Sequence, residues 1–268
     1  MNITEHAGII PESGNVGFKR VFEAQNEVLA DEAELISEYL LLVYINDRLS
    51  GEIVCTPCGL PKLVTWHLIT ETGITPEDII SIDICRLGHT AKVTVKDEVA
   101  SRLTESVENT PTCCTDNATR LKLERKTGDL TRITGGSISK SAFPSILEKL
   151  SKDTKLHIRT RSAHSCFLVY DNEIIYEAED IGRHNAVDKA VGYLAVNEAD
   201  ASHAALFTTG RMPIDMVRKV IRAKIPVLIS KQQPTVESVE LAREYDLTLI
   251  GNLRDDHFDV YNGISRIV

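Results

Sequence analysis

Apolar and polar positions in the first half of the chain follow strand spacing in some stretches and helix spacing in another. The apolar run Tyr39–Ile45 is followed by the turn-forming pair Asn46-Asp47, which predicts a hairpin. Gly73 lies just past a stretch with helical spacing, as is common at helix ends. The predicted elements are strands at 39–45, 52–55, 79–87 and 91–95 and a helix at 60–72. This pattern predicts a small α+β unit, which follows a loosely structured leader at residues 1–37.

The second half alternates more regularly between short apolar strands and helical patterns. Strand and helix alternate over residues 204–250, and this order predicts parallel strands with helices packed on the sheet. The predicted elements are helices at 139–150, 184–196, 213–223 and 235–244 and strands at 166–170, 174–176, 204–207, 227–229 and 247–250. The expected fold class is therefore α/β in this half and α+β for the chain as a whole.

Polar residues and glycine are densest at residues 179–189, where a predicted strand gives way to a helix. Gly182 permits a tight turn, and Arg183, His184 and Asn185 gather donors beside the helix N-terminus, which favours anions. Three charged residues of the same stretch can fix these side chains by pairing: Asp180, Asp188 and Lys189. We interpret the stretch as a binding site rather than a structural helix cap, because the helix must also bury apolar residues.

Similar polar turns follow the next predicted strands. The turn Thr208-Thr209-Gly210-Arg211 offers two hydroxyls, a glycine and an arginine that suit a phosphate, and further polar turns begin at Ser230 and Gly251. Ligands of open α/β sheets collect beyond the carboxyl ends of the strands. These turns are therefore expected to form one anion-binding edge. The alternative is a set of ordinary strand–helix turns, and the basic stretch at 211–231 is open to interpretation as a solvated helix face.

Composition narrows the classes of function. The chain of 268 residues is 43% hydrophobic and 26% charged, as expected for a globular protein with one large domain or two smaller ones. Its net charge of −9 argues against general nucleic-acid binding. The longest apolar run has seven residues, too few to cross a membrane, and the N-terminus lacks a secretory signal pattern. We expect a cytoplasmic protein with reduced cysteines and neither a membrane nor a nucleic-acid partner.

The candidate nucleophiles are two adjacent cysteines, Cys113 and Cys114. They lie in a polar, non-periodic stretch at 104–120, where a thiolate would be accessible to solvent. An incidental exposed pair is the alternative. The other four cysteines are a C-x-x-C pair at a strand–helix junction, for which redox activity and burial both stay open, and two expected core thiols: Cys55 with Cys58, and Cys85 with Cys166.

Residues 180–189, which read DIGRHNAVDK, resemble the motif of the FdhD (FdhD/NarQ) family, sulfurtransferases that serve formate dehydrogenases. The resemblance extends from about Tyr39 to the C-terminus. Weaker matches follow in the expected order at Cys55-Thr56-Pro57, 71–74, His164, Thr209-Gly210-Arg211, Pro234-Thr235, Leu241-Ala242 and 249–261.

The resemblance implies a fold, a reaction and a set of partners. The fold would be a cytidine-deaminase-like αβα sandwich at 119–268 and a smaller α+β domain at 38–118 that ends in the cysteine loop, in a homodimer. Sulfur would pass from a cysteine desulfurase, as a cysteine persulfide, to bis-molybdopterin guanine dinucleotide molybdenum cofactor, which is then delivered to formate dehydrogenase apoenzyme. GDP would act as a surrogate ligand, and no metal ligands are expected. The expected cofactor-binding residues are His164, Asp180, Gly182, Arg183, His184, Asn185, Asp188, Lys189, Thr209, Gly210, Arg211, Asn252, Leu253, Arg254, Asp255, Asp256 and His257.

One departure from the family pattern concerns the sulfur-carrying loop. Family members usually have Cys-Gly-x-Cys-Gly there, whereas this chain has Asp116 where the second cysteine would stand and lacks both glycines. Cys113 is then the expected persulfide carrier, with Cys114 as its substitute or partner. Two other hypotheses stay open: a cofactor-binding chaperone without sulfur transfer, and an unrelated nucleotide-binding α/β enzyme.

Overall fold

The structure is a computed structural model that describes residues 1–6, 8, 10–22, 27–103, 130–152 and 154–268. Its strands are β1 (Asn2–Glu5), β2 (Ser13–Phe22), β3 (Glu27–Ile36), β4 (Tyr39–Ile45), β5 (Arg48–Cys55), β6 (Ile79–Ile84), β7 (Thr90–Val95), β8 (His164–Tyr170), β9 (Glu173–Asp180), β10 (Ala204–Thr208), β11 (Val227–Ser230), β12 (Thr248–Gly251) and β13 (Asp259–Asn262). Its α-helices are α1 (Leu60–Thr72), α2 (Asp97–Leu103), α3 (Ala142–Lys152), α4 (Lys155–Thr160), α5 (Arg183–Val196), α6 (Ile214–Arg222) and α7 (Val236–Glu244). Short 3₁₀ helices occur at Pro76–Asp78, Ala201–His203 and Ile264–Arg266.

The strands form three sheets within the described residues. A five-stranded sheet has the order β1-β6-β7-β4-β5, and a six-stranded sheet has the order β13-β12-β11-β10-β8-β9. β10, β11 and β12 are parallel to one another, as their helical connections predicted, whereas β8 and β13 run antiparallel to their neighbours. β2 and β3 form a separate two-stranded hairpin.

The six-stranded sheet buries apolar side chains on both faces. Along β8, Cys166 and Leu168 belong to the larger core cluster, whereas Phe167 and Val169 belong to a second cluster with α3. This alternation follows from the two-residue period of a strand. The sheet is therefore covered on both sides, and polar groups of its strands can reach a ligand mainly at the strand ends.

The two larger sheets share one core, and helices α1 and α5 cross within it. The larger core cluster includes side chains from both sheets, such as Leu41 of β4 and Leu206 of β10. The crossing is tight at Gly192, where an added Cβ atom would lie only 2.0 Å from the backbone oxygen of Lys62. This close packing holds the C-x-x-C segment, which precedes α1, against the segment that precedes α5.

The structure confirms most of the predicted elements and corrects the N-terminal prediction. Helices α1, α5, α6 and α7 and strands β4, β10, β11 and β12 lie where the apolar pattern placed them, with shifts of a few residues at their ends. Thr235 caps α7, as its hydroxyl accepts from the backbone N–H of Ser238 at 3.3 Å. The leader prediction for residues 1–37 is wrong, since β1 pairs with β6 and β2 pairs with β3. Most side chains of β2 and β3 are exposed, so their sequence carries no strong burial pattern.

Other predictions have mixed outcomes. Cys166 is buried in the core, but Cys85 lies half-buried just past β6, where the predicted strand has already ended. The mixed α/β class is confirmed, whereas the cytidine-deaminase-like sandwich stays a prediction. The proposed domain boundary after residue 118 lies outside the described residues.

Candidate functional site

The ends of five strands lie along one edge of the six-stranded sheet. β9, β10, β11 and β12 finish there, and β8 begins there because it is antiparallel to β9 and β10. In the register, His164 is opposite Asp180, and Thr208 is opposite Ser230. We call His164 and the turns at 180–185, 208–211, 230–235 and 251–257 the polar edge. The polar turns predicted from the sequence are therefore neighbours in space.

Hydrogen bonds join the turns of the polar edge to one another. Ser230 Oγ donates to the backbone oxygen of Gly210 at 2.6 Å, and the backbone N–H of Leu253 donates to Ser230 O at 3.1 Å. The backbone N–H of Ser165 donates to Thr209 Oγ1 at 3.0 Å. The turns that follow β10, β11 and β12 are thus bonded to one another and to β8, and this part of the edge forms one connected surface.

A cationic group occupies the part of the polar edge where β9 leads into α5. Arg183 packs beside Gly210, whose added Cβ would lie 3.0 Å from Arg183 Cβ. The buried Nε–H of Arg183 finds no acceptor among the residues that the structure describes. Burial and the positive charge of Arg183 lower the pKa of His164, which favours the neutral imidazole. Arg183 therefore places a positive charge at this part of the polar edge, which suits an anion.

His184 is the second basic residue of this turn, and it is held by helix α6. Its Nε2 atom lies 2.8 Å from Asp215 Oδ2. Burial would raise the pKa of the Asp215 carboxyl, but the close contact with His184, its charge and the backbone N–H of Met216 outweigh burial and lower it. The ion pair between His184 and Asp215 holds the His184 imidazole at the β9–α5 turn.

Three of the predicted cofactor-binding side chains point into the protein. Lys189 Nζ lies 2.7 Å from Asp180 Oδ2, and both side chains are buried. Asp188 Oδ2 accepts from Lys219 Nζ at 2.6 Å, also in the interior. These buried ion pairs leave Asp180, Asp188 and Lys189 no surface for a ligand. The structure corrects their role from cofactor contact to positioning of the turn.

Asp180 ties the β9–α5 turn to the C-x-x-C segment. Its carboxylate accepts from the backbone N–H groups of Gly182 at 2.8 Å and Thr56 at 3.0 Å. Asn185 Nδ2 donates to the same carboxylate at 2.9 Å and to Val54 O at 2.8 Å. The motif of residues 180–189 therefore has an outward part, near Arg183, and an inward part that fixes it to the other sheet.

The segment after β12 lies at the far end of the polar edge. Leu253 is buried and anchors the turn, whereas Arg254, Asp255, Asp256 and His257 are exposed. Arg254 Nη1 donates to Lys231 O at 2.8 Å, and His257 Nδ1 lies 2.7 Å from Asp256 Oδ1. Half-buried Asn252 donates to Asp259 Oδ2 at 3.0 Å. Apart from Leu253, these predicted residues form an accessible polar surface.

Two groups of residues remain: the two catalytic candidates, and three residues whose structural roles were not predicted from the sequence. Cys113 and Cys114 lie outside the described residues. Sequence reasoning missed the structural roles of Thr56, Asp215 and Lys219. The burial of Lys219 could have been predicted from the sequence, because Lys219 lies three residues after Met216 on the buried face of α6. The alternative interpretation of 211–231 as a solvated helix face does not hold for Arg218 and Lys219, whose side chains are buried.

No helix among the described residues is long and apolar enough to span a membrane. No cluster of three or more His, Cys, Asp or Glu side chains in the same residues forms a metal site.

Together these features make the chain a mixed α/β protein with a polar, partly cationic edge at the ends of parallel strands. Residues 36–268 match the model of the FdhD/NarQ family, so the chain belongs to that family. It is 29% identical over 244 residues to the sulfur carrier protein FdhD of Listeria monocytogenes (serotype 4b), with coverage of 88% of this chain and 92% of the relative. The corresponding protein of Sulfurisphaera tokodaii is 29% identical over 256 residues, covering 93% and 98%.

A solved structure has the same fold. A crystal structure described as that of a formate dehydrogenase accessory protein from Desulfotalea psychrophila superposes with a TM-score of 0.78. It is 22% identical in sequence and covers 96% of this chain and 100% of the other. At this level of identity the similarity establishes the fold.

Proposed function

We propose that this protein is a sulfur carrier that binds a guanine-dinucleotide form of molybdenum cofactor and supports the maturation of formate dehydrogenase. The cofactor is its substrate, and a cysteine desulfurase supplies the sulfur. The single observation that carries the binding part is the polar edge, where the turns of neighbouring strands form one connected surface. Family membership and the names of the relatives support the sulfur-carrier part.

The phosphates of the cofactor bind at the cationic end of the polar edge. Arg183 is half-buried there, and Arg211 is exposed in the next turn. Gly182, the N-cap of α5, has no side chain to occupy the first N–H groups of the helix, which attract anions. Arginine is well matched to phosphate because its planar group donates two parallel hydrogen bonds.

The guanine base binds at the other end, at the segment after β12. Asp255 and Asp256 are exposed carboxylates, and carboxylates accept hydrogen bonds from the N–H groups that guanine carries on its base-pairing edge. Their negative charge disfavours a phosphate there, so the charges of the polar edge give the nucleotide one orientation.

Sulfur travels on Cys113. Its thiolate attacks the outer sulfur of the desulfurase persulfide, the donor S–S bond breaks, and Cys113 keeps the sulfur as a new persulfide. The sulfur then passes to the molybdenum centre of the bound cofactor. This assignment rests on the resemblance of residues 113–117 to the family loop.

Persulfide mass spectrometry tests the transfer. The full-length protein is incubated with a cysteine desulfurase and L-cysteine, alkylated, digested and analysed for peptides that carry one extra sulfur atom. We expect the adduct on Cys113, its loss in Cys113→Ala, and its retention in the control Cys85→Ala, which removes a thiol of the other sheet. Absence of sulfur from both Cys113 and Cys114 would contradict the transfer.

A cofactor-binding chaperone without sulfur transfer is the second candidate, and Asp116 in place of the second loop cysteine favours it. A complementation assay separates the two functions. If the Cys113→Ala/Cys114→Ala double variant restores formate dehydrogenase activity as well as the natural chain does in a strain without the gene, the chaperone function is correct. Loss of complementation by Cys113→Ala, with GDP binding retained, supports the carrier.

A further inference from the structure

The β2–β3 hairpin extends from the body of the protein, and we call it the arm. Every residue of β2 after Ser13 is exposed, and so is every residue of β3 before Ala33. Helix α4 holds the base of the arm, where Arg159 Nη1 lies 3.1 Å from Glu34 Oε1. A two-stranded hairpin alone in water is only marginally stable. The arm is therefore expected to pack on another surface.

One face of the arm is apolar. Successive residues of a strand point to opposite faces, so the register determines which side chains share a face. The exposed apolar side chains of this face are Val16, Phe18, Phe22, Leu29 and Leu35. The opposite face carries exposed charges, among them Lys19 and Glu32. An exposed apolar surface of this kind is typical of an interface with another protein chain.

The two charges at the centre of the apolar face neutralise each other. Arg20 Nη2 lies 2.7 Å from Asp31 Oδ2, and the guanidinium carbon of Arg20 lies 5.3 Å from the centre of the Phe18 ring. A charge that is already paired costs less to remove from water than an isolated one. The apolar face can therefore be covered without leaving Arg20 or Asp31 unpaired.

A second exposed apolar surface lies on the outer face of the five-stranded sheet. Leu40 is opposite Val54 in the register, and Tyr44 is opposite Leu49. These four residues, which we call the sheet patch, belong to β4 and to the edge strand β5. Leu40, Leu49 and Val54 are 45–48% exposed, whereas Leu41 points to the other face and is buried in the core. The patch lies near the base of the arm, because β3 and β4 are joined by only two residues.

We propose that the arm of one copy of this chain packs its apolar face on the sheet patch of a second copy, and that the second copy returns the contact. One chain thus supplies both unpartnered surfaces. A two-fold axis makes the two contacts identical, so association stops at the dimer. The short connection between β3 and β4 keeps the arm and the patch of each copy close to such an axis.

The areas favour this exchange over packing of one arm on the other arm. Two strands of ten residues present a face of roughly 34 by 10 Å, on the order of 340 Å². A stable interface buries about 800 Å² on each partner. Contact between two arms supplies less than half of that area. The exchange makes the contact between arm and patch twice, so each copy buries about twice as much surface.

Sedimentation equilibrium of the full-length protein over a wide range of concentration tests the association. We expect a dimer. Phe18→Ser on the arm and Val54→Ser on the patch should each weaken self-association by at least about a hundredfold, because each change removes a buried apolar side chain twice per dimer. Lys19→Ser, on the opposite face of the arm, is the matched control and should leave self-association unchanged. Equal far-ultraviolet circular dichroism spectra establish that all three variants are folded.

A photo-crosslinker at position 18 identifies the surface that the arm contacts. Phe18 is replaced by p-benzoylphenylalanine, and ordinary chains are mixed with isotope-labelled chains before illumination. Mass spectrometry of the crosslinked peptides then distinguishes contacts between two copies from contacts within one chain. We expect crosslinks of mixed isotope composition that join position 18 to peptides of β4 and β5.

The remaining outcomes contradict the inference. A monomer at every concentration overturns it and leaves the arm to a different protein, and a dimer that Phe18→Ser and Val54→Ser leave intact overturns it as well. Mixed-isotope crosslinks to β2 or β3 would mean that the two arms pack on each other. Crosslinks within one isotope alone would mean that the arm folds back on its own chain. None of these measurements depends on sulfur transfer or GDP binding, so the inference and the proposed function are tested separately.

Discussion

The outward and inward parts of the segment at 180–189 differ in how completely their charges are paired. Outside, Arg183 keeps a donor without an acceptor among the described residues, and the neighbouring Arg211 is exposed. Inside, Lys189 and Asp180 form a buried ion pair with hydrogen bonds to the C-x-x-C segment. The paired, buried charges give the turn its shape, whereas half-buried Arg183 and exposed Arg211 remain for a ligand. Residues 180–189 thus contain part of the candidate binding surface together with its support.

Removing one half of the buried pair should have the largest effect. Asp180→Ala leaves the Lys189 ammonium buried without its counter-charge, which typically costs about 3–5 kcal/mol of unfolding free energy. Denaturant titration measures the loss, and exposed Asp255→Ala, expected to change stability by less than about 0.5 kcal/mol, is the control. Equal stability of the two variants would mean that the buried pair does not support the turn.

A smaller loss of unfolding free energy is expected from a substitution where helices α1 and α5 cross. Gly192→Ala places a methyl group 2.0 Å from the Lys62 backbone oxygen, so the helices must separate, at a cost of about 3 kcal/mol. Gly17→Ala is the matched control, because nothing lies within 4 Å of its added Cβ. Thermal unfolding of both variants checks the prediction. A Gly192→Ala melting temperature equal to that of Gly17→Ala would contradict the tight crossing.

The outward part should affect binding and leave stability unchanged. Arg211→Ala removes an exposed guanidinium from the polar edge, and loss of a charge-assisted hydrogen bond of about 1.5–3 kcal/mol weakens GDP binding by roughly 10- to 150-fold. Arg48→Ala removes an equally exposed charge from the other sheet and should leave GDP affinity unchanged. Isothermal titration calorimetry provides both values. Equal GDP affinities in the two variants would mean that Arg211 does not contribute to the GDP-binding site.

The smallest effect is a pH dependence that comes from His164. Its folded pKa lies below the ordinary value of 6.5, because burial and Arg183 disfavour the charged imidazole. As pH falls below about 6.5, the unfolded chain takes up a proton before the folded chain does, so stability declines. His164→Gln should reduce this decline between about pH 7.5 and 5.5 in thermal unfolding. A decline of unchanged steepness in the variant would contradict the lowered pKa.

The position of the polar edge was predictable from the sequence, because it follows from strand order. Alternating strands and helices predicted parallel neighbours, and parallel neighbours place the turns that follow them at one edge. Thr209, Arg211 and Arg254 could therefore be placed together from the sequence. Arg183 lies at the same edge as these residues because it follows β9. Strand β9 is not part of the parallel run, but its antiparallel pairing with β8 places its end at this edge.

The direction in which a charged side chain points was not predictable from the sequence. Asp180 and Arg183 lie in one polar stretch, and only long-range contacts, such as the bond from Thr56 N–H to Asp180, determine that one is buried and the other half-exposed. The partner of Asp188 is Lys219, 31 residues away. β2 and β3 were missed for the opposite reason, because strands with two exposed faces show little apolar alternation.

The central claim is that one nucleotide bridges the turns of the polar edge, and a crystal structure of the protein with bound GDP tests it most directly. We predict that the diphosphate contacts the turns of Arg183 and Arg211 and that the guanine lies at the segment after β12, near Asp255 and Asp256. GDP bound on another surface, or no GDP at a concentration that saturates binding in solution, would contradict the account.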